Sequence, residues 1–165
     1  MNIFNLIDTE TDGGRYDVTP LFSNYKIYQS VIKNLCQPLL SLEIELVLGI
    51  DALGFILGTS ISHYLQCGFV PLRKGGKLPV SCLKQSFIDY SNQTKILEVR
   101  KDILKHGVKV IIVDEWVETG SQMQAAVNLV EACNAKVIRL VSLHVDKNEK
   151  TNKLESDYGF ISLNK

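Results

Sequence analysis

The chain has 165 residues, 45% hydrophobic and 22% charged, with 18 basic and 18 acidic side chains. This suits one compact domain with an apolar core and excludes a disordered chain. A net charge of zero gives no overall positive field to attract nucleic acid or an anionic membrane.

The opening "MNIFNLIDTETDGG" is acidic and has no basic n-region, so it does not read as a signal peptide, and a cytoplasmic protein is expected. In "DVTPLFSNYKIYQSVIKNLC", Ile27, Val31, Ile32 and Leu35 recur at helical spacing, with Thr19 as the expected cap ahead of Pro20. "IELVLGI" reads as a short buried strand ended by Gly49. "ALGFILGTSISHYLQ" reads as a helix closed by Gly68, and "FVPLRK" as the next strand. The apolar run through "LVLGIDALGFILG" is interrupted by Asp51 and three glycines, which argues against a membrane span.

"QSFIDYSNQTKILEV" alternates weakly among polar turn residues and fits either a long hairpin or a mobile loop. His106, before Gly107, is expected at a helix C-terminus, where a cation suits the dipole. "VKVIIVD" is the clearest strand, "GSQMQAAVNLVEAC" a helix, "KVIRLVSLHV" another strand and "SDYGFISLN" a short edge strand. Strands alternating with helices predict a single α/β domain over 1–165, with a mostly parallel sheet covered on both faces. Cys36, Cys67, Cys82 and Cys133 form no CxxC pair, so zinc is not expected and reduced thiols are.

The chemistry concentrates in "VIIVDEWVETGSQ", Val110 to Gln122. Parallel sheets bind ligands beyond the C-terminal ends of their strands, where Asp114 and Glu115 fall. Thr119, Gly120 and Ser121 then open a helix, whose free N–H groups and positive end suit an anion. Two carboxylates beside such a cradle suit a ribose 5-phosphate, the acids accepting from the 2- and 3-hydroxyls. Neither a Walker loop nor GxGxxG is present. Taken alone, the stretch is equally an ordinary strand-turn-helix with acidic ends.

The same stretch resembles the phosphoribosyl-diphosphate motif of type I phosphoribosyltransferases. "YDVTPLF", "GIDALGFILGTSIS", "GFVPLRKGGKLP" and "LEVRKDIL" resemble, in order, segments of the adenine phosphoribosyltransferases. The resemblance runs from about residue 16 to the end. It implies the type I fold, with a small hood from about 1–20 and the C-terminal tail, and a flexible loop over about 79–96. It implies transfer of ribose 5-phosphate from phosphoribosyl diphosphate to a purine, with adenine the first choice, releasing pyrophosphate. Mg²⁺ would come with the donor, and a homodimer is implied.

By motif match, Asp114 and Glu115 would hold the ribose, and Glu118, Thr119, Gly120 and Ser121, with Gln122 closing the loop, the 5-phosphate. Arg73, Lys74 and Lys77 would face the pyrophosphate. Tyr16 and Asp17 would lie by the purine, and Asp89 and Tyr90 would be the acid–tyrosine pair of the catalytic loop. The chain departs from the pattern at four places. Leu53 replaces an arginine, Gln122 a hydroxyl residue, Glu118 a small residue and Tyr16 an arginine. In the hypoxanthine-guanine relatives an aspartate stands at the Glu118 position, so Glu118 is expected to contact the base as general acid or base. The alternative is a divergent protein of this fold that processes a nucleoside or senses a nucleotide without catalysis.

Overall fold

The computed structural model describes residues 2–12 and 16–163. The strands are β1 (Leu46–Ile50), β2 (Gly68–Lys74), β3 (Cys82–Ile88), β4 (Thr94–Arg100), β5 (Lys109–Val117), β6 (Lys136–Val145) and β7 (Phe160–Ile161). The helices are α1 (Thr19–Ser23), α2 (Tyr25–Cys36), α3 (Leu53–Leu65), α4 (Ser121–Ala132) and α5 (Glu149–Tyr158). One sheet runs in the order β3-β4-β2-β1-β5-β6-β7. The run from β2 to β7 is parallel, while β4 joins β2, and β3 joins β4, antiparallel.

The period-two side-chain alternation of a strand explains the two cores. In β5, Val110 and Ile112 point to one face, where Met123, Ala126 and Val130 of α4 cover them. Ile111 and Val113 point to the other, under Val31 and Leu35 of α2 and Leu57 and Ile61 of α3. Gly54 lets α3 approach closely, because a Cβ there would lie 2.7 Å from the Val113 carbonyl oxygen.

Several element boundaries differ from expectation. The long N-terminal helix is two helices, because Asn24 is extended and its side chain accepts from Ile27 N–H, starting α2 afresh. Thr19 is the first residue of α1 and not its cap: the N-cap is Val18, and Asp17 Oδ1 accepts from Thr19 N at 3.0 Å and Thr19 Oγ1 at 2.7 Å. α3 closes on Gln66 in the left-handed region, and Gly68 begins β2. His106 lies in a turn and caps no helix. β5 continues past both acids because Trp116 and Val117 still pair with His144 and Val145. "QSFIDYSNQTKILEV" forms the β3–β4 hairpin.

The expected edge strand over 156–164 is the end of α5 followed by the short β7, and its last residue, Asn164, lies outside the described residues. The expected hood and tail also extend partly outside them, at 1, 13–15 and 164–165. Among the described residues no helix is long and apolar enough to cross a membrane.

Candidate functional site

The C-terminal ends of the parallel strands open into a cavity of about 680 Å³. Its walls are the turn after β1 (Asp51 to Leu53), Lys74 at the end of β2, the stretch from Asp114 to Gly120, Gln122 and Met123 of α4, and the tip of the β3–β4 hairpin. The topology therefore brings Asp114, Glu115, Glu118, Thr119, Gly120, Gln122, Lys74, Asp89 and Tyr90 to one cavity.

Asp114 is the most buried acid of the cavity lining, only 5% exposed. Its Oδ1 accepts from Glu115 N–H at 2.9 Å and its Oδ2 from Gln122 Nε2 at 3.3 Å. Burial first, and the charge of Glu115 second, push its pKa well above the usual carboxylate range, while Lys74 pulls the other way. Gln122 thus serves Asp114 within the turn.

The phosphate-type loop follows. Gly120 is the N-cap of α4 with φ 76°, a left-handed conformation natural to glycine, and it has no side chain to offer the helix's first N–H groups. Such an end attracts an anion. Ser121 lies outside the cavity lining; its N–H donates to Thr119 Oγ1 at 3.3 Å, and its Oγ accepts from Lys150 Nζ at 2.7 Å.

The expected pyrophosphate cations separate. Lys74 lines the cavity, and Lys95 of β4 joins it there. Arg73 is turned aside: its Nε donates to Asp51 Oδ2 at 3.1 Å, and its guanidinium lies 5.8 Å from the centre of the Phe55 ring. Lys77 sits in a turn held by Glu98, whose Oε1 accepts from the N–H groups of Lys77 at 2.7 Å and Leu78 at 2.8 Å. Leu53, in place of the expected arginine, forms part of the wall. Asp89 organises the hairpin tip, its Oδ1 accepting from Ser91 N and Oγ and from Gln93 N. The Ser91 hydroxyl foremost holds its pKa below the usual range. Tyr90 is 54% exposed at the cavity.

An aromatic cluster adjoins the other end. Trp116, in the cavity wall, stacks on its cross-strand neighbour His144 at 4.3 Å between ring centroids. Tyr16 approaches Trp116 at 5.1 Å and Phe4 meets Tyr16 at 5.5 Å, so the N-terminal segment leans on β5. Asp146 accepts from His144 Nε2 at 2.9 Å and from Trp116 Nε1 at 3.5 Å. Asp17 instead accepts from Thr19 at the start of α1 and bridges to Asp8 through its backbone, away from the cavity wall.

Sequence reasoning missed Asp51, Trp116, Lys95 and Lys150. Asp51 and Trp116 lay inside quoted motifs, and their position next to the invoked acids and glycines was a usable signal. Lys95 and Lys150 depend on the hairpin and on α5, and no local pattern places them.

A family model for the phosphoribosyl transferase domain matches residues 18–164. An adenine phosphoribosyltransferase from Roseobacter denitrificans is 35% identical over 82% of this chain and 77% of its own. The crystal structure of adenine phosphoribosyltransferase from Thermoanaerobacter pseudethanolicus superposes with a TM-score of 0.88, at 30% identity, covering 96% of this chain and 95% of that one. The corresponding enzyme from Giardia lamblia, solved with 9-deazaadenine, has a TM-score of 0.89 at 27% identity, covering 96% of this chain and 92% of its own. With its strand order, its acid-bearing β5 and the glycine turn into α4, this chain belongs to the phosphoribosyltransferase family.

Proposed function

We propose that the protein transfers ribose 5-phosphate from phosphoribosyl diphosphate to a purine, with adenine the first candidate, forming a nucleotide and pyrophosphate. The observation that carries this is one cavity in which Asp114 and Glu115 stand beside the turn of a helix whose N-cap is a glycine. The relatives named above, all adenine phosphoribosyltransferases, supply the choice of base.

In this reading the carboxylates of Asp114 and Glu115 accept from the ribose hydroxyls, and the loop from Glu118 to Ser121 receives the 5-phosphate. As the bond from C1 of the ribose to the diphosphate breaks, N9 of the base forms the new bond and gives up its proton. Lys74 and Lys95 meet the growing charge on the leaving group, in place of the arginine that Leu53 supplants. The N-terminal segment forms the hood, and the base lies towards Trp116. The Glu118 carboxylate exchanges a proton with the base. The β3–β4 tip, with Asp89 and Tyr90, closes over the donor and excludes water.

Mg²⁺ fits this cavity as cargo of the donor. Carboxylate oxygens suit a hard cation that keeps substrate phosphates among its ligands. Among the described residues no group of three or more acidic, histidine or cysteine side chains forms a separate metal site. Asp114 and Glu115 are the residues to hold it from the protein side, and when bound it neutralises diphosphate charge. Four free cysteines accord with a reducing, cytoplasmic setting. A homodimer is the expected assembly, checked by sedimentation.

The test is a transfer assay with labelled phosphoribosyl diphosphate and adenine, hypoxanthine, guanine, xanthine or no base. Adenine-dependent release of pyrophosphate is expected. Nucleotide binding without transfer to any base would instead establish a sensor, and tight adenosine binding with no donor binding a nucleoside-processing protein. Trp116, the single tryptophan, gives an independent readout: purine binding should change its fluorescence. Full transfer with every purine by both Glu118→Gln and Glu118→Ala would remove Glu118 from the chemistry.

A further inference from the structure

α5, the helix absent from the sequence reading, forms the back of the phosphate loop. Its own start is sealed by a capping box: Asn148 Oδ1 accepts from Lys150 N and Thr151 N, and Thr151 Oγ1 accepts from Asn148 N. The same turn then reaches outward twice. Asn148 Nδ2 donates to the Glu118 carbonyl at 2.8 Å, and Lys150 Nζ donates to Ser121 Oγ at 2.7 Å. Between these bonds, a Cβ on Gly120 would lie 3.1 Å from Thr151 Cγ2 and 3.3 Å from Lys150 Cγ. The turn from Glu118 to Ser121 is therefore held by α5 at its start, middle and end.

The Lys150 bond has a directional consequence. A lysine ammonium only donates, so it occupies a lone pair of Ser121 Oγ and leaves the hydroxyl proton to point elsewhere. At the first residue of α4, which a glycine caps, that proton can serve as another donor for an anion. Lys150 also adds a positive charge next to a loop that contains Glu118. A long, exposed side chain loses rotamer freedom when fixed to a neutral hydroxyl, and such a bond returns little by itself. A phosphate dianion in the same turn makes the arrangement favourable, since charge-assisted bonds are roughly twice as strong.

Building on the phosphate-loop reading above, we propose that Lys150 is a positioning residue for the 5-phosphate: it orients the Ser121 hydroxyl as a donor and sets a positive charge beside the loop. The ligand class is a phosphomonoester dianion.

The test compares AMP with adenosine, by calorimetry at low and moderate salt, in the wild type and in Lys150→Met, Lys150→Gln and Lys150→Arg. Lys150→Met should weaken AMP about tenfold to a hundredfold, the range for losing a charged hydrogen bond. Adenosine affinity should stay unchanged, and the salt dependence of AMP binding should shrink. Lys150→Gln should fall between, because an amide still donates to Ser121 without the charge, and Lys150→Arg should restore binding. Wild-type AMP affinity in Lys150→Met, or equal weakening of AMP and adenosine, would overturn the inference while leaving the phosphate loop intact. A wild type that binds neither AMP nor phosphoribosyl diphosphate would instead sink the phosphate-loop reading, and this inference with it.

Discussion

Two carboxylates buried in the same sheet have opposite characters. Glu98, on β4, is 1% exposed, and Asp114, on β5, is 5% exposed. Burial raises the pKa of both. At Glu98 this is outweighed by the N–H groups of Gly76, Leu78 and Lys77 and by the Lys84 ammonium, so its pKa falls below the usual range. Asp114 has one backbone N–H, the Gln122 amide and an acidic neighbour, and its pKa rises. A carboxylate saturated with donors is structural: Glu98 folds the "RKGGKLP" turn. An undersaturated one in a cavity is poised to receive donors from a ligand.

The comparison breaks most visibly at Glu98. Glu98→Ala leaves several turn N–H groups without their acceptor, and should cost roughly 2–3 kcal/mol in urea unfolding, the scale for unsatisfied buried groups. Asp114→Asn is the counterpart. It should cost on the order of a hundredfold in donor affinity, through lost charge-assisted bonds to the ribose, yet leave neutral-pH stability equal or higher. A large loss of stability in Asp114→Asn would mean that the two acids do the same job. The stability profile sharpens this further. Glu98 contributes stability that is present above its unfolded pKa and lost as pH falls through its lower folded value. Asp114 holds its proton longer in the native state, so its contribution declines as pH rises from the ordinary carboxylate range through its raised folded value. Unfolding free energies from pH 3 to 8 should therefore lose their acid limb in Glu98→Gln and their alkaline decline in Asp114→Asn.

The Asp114 half of this contrast was legible in sequence and the Glu98 half was not. β5 announces itself through "VIIV" running into acids and Thr-Gly-Ser, because strand period and turn chemistry are local. Glu98 gains its meaning from partners about twenty residues away, across an antiparallel register that no local pattern displays. Trp116 and His144 are likewise 28 positions apart and meet only when β5 and β6 align. α5 was missed because "EKTNKLESDY" buries only Thr151 and Leu154 and so lacks an apolar stripe, although Asn148 and Thr151 carried a capping-box spacing. The motif match of "GFVPLRKGGKLP" places Arg73 and Lys77 with Lys74 at the pyrophosphate. Strand alternation and the Glu98-bound turn decide which cations reach the cavity, and of the "RKGGK" cations only Lys74 does.

The smallest effect isolates the amide that half-satisfies Asp114. Gln122 sits where the family pattern has a hydroxyl, and its Nε2 is the side-chain donor to Oδ2. Donation to a carboxylate favours the charged form, so Gln122→Ala should raise the Asp114 pKa further and shift the pH dependence of donor binding. If donor binding requires the ionised acid, affinity climbs as pH rises through that pKa, and the variant's climb should move to higher pH. At a pH well above it the two proteins should converge to within about threefold, since a single neutral hydrogen bond contributes little net free energy. Gln122→Glu sharpens the reading, because a third acid beside Asp114 and Glu115 should push the climb further in the same direction. A uniform loss of affinity at every pH would show that Gln122 contacts the ligand directly and that Asp114 does not depend on it.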